Sequence, residues 1–262
     1  MRVHANVMTK NEELLLTELL PIWVNYPIEK FIFYNDNSTD DTVNIIKNHL
    51  GDRAVIINDG LEEFNDNGAT HVIAMDCDEL LSDNLVNNFT DVINSYETED
   101  TYLYWYNVVN NTLNETRNDP SYINNHRSFI LPLKHTGKFN LALWKYHTPR
   151  TPQVNLRRKF TKDYGVIHLQ SINTKFYALK QLWYKHYEYV KYNHPVTFIN
   201  QRYDPVVNNL DFMSIKTPKE ILGNIKFDCG VYDKMCEHKG YLKFIKENYN
   251  KDLVTSGSEF LD

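Results

Sequence analysis

Within the first 75 residues, apolar runs of strand length alternate with stretches of helical period, and that alternation limits the fold more than any other feature of the chain. Val3 to Met8 alternates apolar and small polar residues as a strand does. Asn11-Glu12-Glu13, followed by Leu14-Leu15-Leu16 and Leu19-Leu20, begins a helix. Lys30 to Tyr34 is a second strand, and Thr42 to Leu50 carries Val43, Ile45, Ile46 and Leu50 at helical spacing. Ala54 to Ile57 and His71 to Met75 are a third and a fourth strand. Strands separated by helices pair in parallel, so the order predicts an α/β fold, a doubly wound unit with a mostly parallel sheet. Ligands in such sheets bind at the carboxyl ends of the strands.

The later elements are less regular. Asp83 to Tyr96 reads as a helix, Thr101 to Val109 as an aromatic-rich strand, and Asn110 to Asn125 as a long polar loop. Phe129 to Leu133, Leu141 to Trp144 and Tyr164 to Leu169 are short strand candidates. Thr174 to Tyr192 reads as a long aromatic helix, and Pro218 to Tyr249 as two or three short ones. The aromatics of Tyr102 to Tyr106, Trp144 and Trp183 to Tyr192 have the spacing of core residues, and a sugar-stacking cleft is the alternative.

With 262 residues and 42% hydrophobic composition, the chain can bury one substantial core, with room for a small appended unit. The most apolar early run, Leu14 to Val24, is interrupted by Thr17, Glu18 and Pro21, so no transmembrane segment is expected. The first residues lack a signal-peptide pattern. Cys77, Cys229 and Cys236 are odd in number and far apart, which points to a reducing compartment and a cytoplasmic protein. The net charge of −6 is unevenly spread. Residues 1 to 125 hold 6 Lys+Arg against 22 Asp+Glu, whereas residues 126 to 191 hold 13 against 2. A stretch positive by 11 suits an anionic partner, the protein's own acidic half included. Nucleic acid is not expected, because no RNP, zinc-finger or helix-turn-helix signal is present.

The fourth strand ends in acids, in the run Val72-Ile73-Ala74-Met75-Asp76-Cys77-Asp78-Glu79. On an extended backbone Asp76 and Asp78 point to the same side and can reach one ion. Mg²⁺ and Mn²⁺ take a few carboxylate oxygens and leave positions for phosphate oxygens, which makes a nucleoside diphosphate a natural third party. The plainer role, acids at the start of the next helix, is already filled by Ser82 and Asp83. The second strand runs into Asn35-Asp36-Asn37-Ser38-Thr39-Asp40-Asp41-Thr42. There a carboxylate can accept from a base N–H or a ribose hydroxyl, while Ser38 to Asp41 cap a helix.

Lys10-Asn11-Glu12 after the first strand, Asn35 to Asp40 after the second and Asp76-Cys77-Asp78-Glu79 after the fourth together resemble family 2-type glycosyltransferases of the GT-A fold. The resemblance covers residues 1 to 110 well and the remainder loosely. It implies a Rossmann-like α/β/α sandwich with a helical C-terminal tail, a nucleotide-sugar donor, UDP-linked by preference, and Mn²⁺ or Mg²⁺. By the same resemblance Asp36 contacts the base, and Met8, Thr9, Lys10 and Asn11 line base and ribose. Asp78 ligates the metal, and Asp76 touches metal or ribose. A late histidine on the same ion or the diphosphate corresponds to His168, with a packed strand histidine as the other reading. Asn35 departs from the family, which commonly has an acid there. Residues 1–215 are then a GT-A-like catalytic domain, with 1–110 for the nucleotide sugar and 111–215 for the acceptor, and 216–262 form a helical extension.

Lys145 and Lys180 are basic candidates for the diphosphate, along with Arg127, Arg150, Arg157, Arg158 and Lys185. An inverting mechanism needs a carboxylate to take the acceptor's hydroxyl proton. The basic segment offers Asp163 and Glu188, with Glu115 and Asp119 just before it, and Asp163 or Asp119 is favoured. The acceptor is a glycan, lipid-linked or protein hydroxyl. Two alternatives stand beside this reading: a metal-dependent phosphohydrolase with Asp76 as nucleophile, which Leu80 disfavours, and a non-catalytic nucleotide- or glycan-binding module.

Overall fold

The computed structural model describes residues 1–58, 68–95, 99–118, 126–133, 156–207, 213–238 and 240–254. The four early strands form: β1 (Val3–Thr9), β2 (Lys30–Asn35), β3 (Ala54–Asn58) and β4 (His71–Asp76). They pair in parallel in the order β3-β2-β1-β4, with α1 (Glu13–Trp23) and α2 (Thr42–Leu50) as connections from β1 to β2 and from β2 to β3. The chain moves outward from β1 to β3 and returns to the other side of β1 as β4. That reversal opens a crevice between the carboxyl ends of β1 and β4, where ligands of open α/β sheets bind.

Beyond β4 the sheet continues through β8 (His126–Pro132), β6 (Glu99–Asn107), β9 (Arg157–His168) and β5 (Glu79–Leu81). β8 is antiparallel to β4 and β6, and β5 is antiparallel to β9. The other six of the eight strands share one direction, so Thr9, Asn35, Asn58, Asp76, Asn107 and His168 all end at the same edge. β9 is longer than the sequence predicts, and it bulges: Leu103 pairs with Thr161 but Tyr104 pairs with Gly165. The expected loop after β6 contains β7 (Glu115–Arg117), which forms a ribbon with β10 (Ser214–Lys216). Its partner lies about a hundred residues away, so local composition gives no sign of the pairing.

The expected helix from Asp83 is two short ones, α3 (Asp83–Asn87) and α4 (Phe89–Ser95). α5 (Thr174–Tyr192) matches its prediction. Asn173 caps it by accepting from the Phe176 N–H, and Asn193 closes it in the left-handed conformation. α6 (Val196–Val207), α7 (Lys219–Leu222), α8 (Val231–His238) and α9 (Tyr241–Glu247) follow.

Strand alternation sends Val3, Ala5 and Val7 to one face of the sheet, with Phe31, Phe33, Ile73 and Met75. Trp23 of α1 stacks there on Phe31 and Phe33, at 5.9 and 6.4 Å between centroids. Ile46 and Leu50 of α2, Phe176, Leu179 and Leu182 of α5, and Tyr232, Met235 and Ile245 of α8 and α9 join the same cluster. The helical extension therefore shares a core with β1. Ile32, Tyr34, Val72 and Leu131 occupy the opposite face. The Leu141 to Trp144 strand candidate lies outside the described residues, as do Asp119, Lys145 and Arg150.

Candidate functional site

The loops after β1 and β2 brace each other across the crevice edge. Asn11, at φ 52°, donates its N–H to Ser38 Oγ (3.0 Å), and its Oδ1 accepts from the Thr39 N–H (2.8 Å). The Glu12 N–H reaches Thr42 Oγ1, the Glu13 N–H reaches Asp40 Oδ2, and the Asp41 N–H returns to Glu13 Oε2. Asp36 donates its N–H to the Thr9 carbonyl, and its carboxylate accepts from Lys10 Nζ at 2.8 Å. Both side chains of that pair are about half exposed, 49% for Lys10 and 53% for Asp36. Thr9, Lys10, Asn11 and Asp36 are thus brought together. Met8 is tied to the acidic turn after β4, its carbonyl accepting from Cys77 Sγ at 3.2 Å. Asn35 stands where the resemblance leads one to expect an acid, and it has a role of its own. Its amide donates to Asn58 Oδ1 and accepts from the Ser38 N–H, a dual role that a carboxylate cannot fill.

The acidic motif differs from the extended geometry expected of it. β4 stops at Asp76, Cys77 and Asp78 form a turn, and Glu79 opens β5 against β9. The period-two rule fails at the turn, so Asp76 and Asp78 do not share a strand face. Glu79 fixes the turn from within. Fully buried, it accepts from the Asp76 N–H at 2.9 Å and from Trp105 Nε1–H at 2.6 Å.

Asp78 is buried, and both of its oxygens face nitrogen. Lys180 Nζ of α5 donates to Oδ2 at 3.1 Å, and His168 Nε2 lies 3.6 Å from Oδ1. His168 is oriented by Asn107, whose Oδ1 is 2.6 Å from Nδ1, and by Trp105, stacked on its ring at 4.1 Å. Burial pushes the Asp78 carboxyl up, but the Lys180 ammonium and then His168 outweigh it and hold the group well below the usual carboxylate range. Burial likewise pushes Lys180 down, and Asp78, with Tyr184, Tyr241 and Glu12, more than reverses it and keeps the ammonium charged. Asp76 belongs to the same electrostatic cluster: its charge and that of Asp78 oppose the Lys180 ammonium at Tyr184, a hydroxyl already raised by burial.

At Asp78, the carboxylate expected to hold Mn²⁺ or Mg²⁺, the structure places a lysine ammonium. Among the described residues no three of His, Cys, Asp and Glu converge on a point that holds a metal. A divalent ion on Asp78 would stand beside the Lys180 ammonium, and the two like charges would repel. In the structure Asp78 is paired with Lys180, with His168 beside the same carboxylate.

Asp163 is exposed beside Asn84, which donates to its carbonyl. It lies in the β9 bulge between Thr161 and Gly165, three to four strand steps before His168 and on the order of 10 Å from it, so the structure does not bring it to the strand end. Glu188 is buried against Tyr203, Arg202 and His194, and Lys185 pairs with Asp204, so both serve the α5–α6 packing. Arg127 lies over the Trp105 ring at 5.2 Å, and Arg157 is exposed near Glu99. Sequence reasoning missed Glu79, Trp105 and Asn107 as the frame of the site. The sign available was a third acid inside an apolar run, at a position with no solvent-facing role.

Four parallel strands in the order β3-β2-β1-β4, an antiparallel strand beyond them and an acid-bearing turn after β4 decide the architecture. The fold is Rossmann-like α/β, consistent with the GT-A type. No protein-family model matches the chain, and no curated protein does. Among solved structures it is similar to S. aureus TarS, at 13% identity and a TM-score of 0.45 over 97% of this chain and 50% of that one. It is also similar to S. aureus TarS 1–349 in complex with UDP (12%, TM-score 0.36, 97% and 82%) and to the inositol-1-phosphate CTP transferase from T. maritima (13%, TM-score 0.36, 68% and 94%). The chain spans half the length of the first of these.

Proposed function

We propose that this GT-A-type chain transfers a sugar from a nucleoside diphosphate donor, a UDP-sugar by preference, to a hydroxyl acceptor on a glycan, lipid-linked or protein substrate. The observation that carries this reading is the joint placement, at one sheet edge, of the braced Lys10-Asn11-Asp36 loops and the Asp76-Asp78-Lys180 cluster. The first group suits a base and ribose, since Asp36 accepts and Asn11 both donates and accepts. The second suits a diphosphate, because a fixed ammonium stabilises charge growing on a departing phosphate without reorganising. Among the described residues no helix is long and apolar enough to cross a membrane.

The test is calorimetric titration with UDP-, GDP- and dTDP-sugars. One nucleotide class should bind, and Asp36→Ala should weaken it about tenfold, the size of one lost hydrogen bond to a charged group. If no class binds, or if Asp36→Ala leaves affinity unchanged, the reading or its base contact is wrong.

A further inference from the structure

We propose that the cation Asp78 presents to the donor is the Lys180 ammonium, so that the chain binds its nucleotide diphosphate without a divalent metal. This inference rests on the reading of the crevice as a nucleotide-sugar site.

Asp78 is oriented by its backbone as well as its side chain: its carbonyl accepts from the Leu169 N–H at 2.9 Å, which ties the turn to the end of β9. Its carboxylate has Lys180 on one oxygen and His168 beside the other. The Lys180 side chain is 16% exposed and that of Asp78 9%, so the pair is sheltered but not sealed. Lys180 reaches Asp78 from mid-α5, a helix fixed by its Asn173 cap and packed through Phe176, Leu179 and Leu182. Its ammonium is therefore a built-in point charge at the β4 end, not a loose side chain swept in from solvent. Lys suits that task, since a compact ammonium carries three donors. One can remain on Asp78 while others meet phosphate oxygens. In this arrangement Asp78 holds Lys180 in place and is not itself a metal ligand.

The test compares UDP binding by the full chain in EDTA and in Mn²⁺, with Mn²⁺ binding to the nucleotide-free protein followed by electron paramagnetic resonance. The wild-type chain should bind UDP within about threefold in the two conditions and show no tight Mn²⁺ site, a difference too small for a metal-ligand bond. Lys180→Ala removes the cation and frees Asp78. It should lose about tenfold or more in EDTA and regain part of that loss with Mn²⁺, now bound at Asp78. UDP binding by the wild type only in Mn²⁺ would overturn the inference and leave the transferase reading standing. If neither UDP nor GDP nor dTDP binds in either condition, the transferase reading falls and takes this inference with it. Because the EDTA comparison uses the unaltered chain, it decides the matter even if Lys180→Ala fails to fold.

Discussion

Asp78 shows how one residue couples the site to the stability of the whole chain. Its folded carboxyl lies well below the usual range because the gain from Lys180 and His168 exceeds the penalty of burial. A depressed folded value means that the unfolded chain takes up a proton first as pH falls. The contribution of Asp78 is therefore complete above the ordinary carboxylate value near 4 and is lost as pH drops through the lower folded value. Asp78→Asn should accordingly do two things: lower stability at neutral pH by about 3–5 kcal/mol, since Lys180 is left buried without its counter-charge, and flatten the acid side of the stability profile. Urea unfolding from about pH 7 to about pH 3 would check both, and parallel acid limbs for the two proteins would show that Asp78 is not the group responsible. Much of this residue's setting was hidden in the sequence. The acids of the turn were legible as a motif, but Asp78 and Lys180 are 102 residues apart, and no local pattern indicates which of several basic residues reaches the acid.

At the scale of elements, the parts that could be read were those whose signal is local. β1 to β4 and α5 follow from apolar period and capping residues such as Asn173. β7, β10 and the length of β9 did not, because their hydrogen bonds depend on partners far along the chain. The bulge in β9 is a case where geometry singles out one residue. Gly165 opens the resumed pairing with Tyr104, and a Cβ there would lie 2.4 Å from the Tyr106 ring and 2.8 Å from the Tyr104 carbonyl oxygen. The Tyr106 hydroxyl is itself tethered to the Lys162 carbonyl, so the ring cannot simply swing away. Gly165→Ala should therefore destabilise the chain by about 1–3 kcal/mol, the usual cost of overpacking, with a lower urea midpoint as the readout. The strand ends at His168, so the same change should also disturb the Trp105–His168 stack, and a shifted tryptophan emission would report it.

For the molecule as a whole, the placement of α8 and α9 decides whether the C-terminal segment is an appendage or part of the fold. Tyr232, Met235 and Ile245 are at most 1% exposed and lie in the cluster that contains β1, α1 and α5. Phe176 meets Tyr232 edge-on at 5.2 Å, and Trp183 stacks on Tyr241 at 4.8 Å, so the helix that carries Lys180 has its outer side covered by this segment. Removing one buried Met or Ile side chain costs about 2–5 kcal/mol, and losing all three together approaches the roughly 5–15 kcal/mol that hold a whole domain. A chain ending at Leu222 should therefore lack a cooperative thermal transition and should not bind UDP, whereas an appended unit would leave both intact. Differential scanning calorimetry of residues 1–222 beside the full chain separates the two cases. A sharp transition in the shorter protein would mean that β1, α1 and α5 close their core without the tail, and that α5 keeps Lys180 on Asp78 without it.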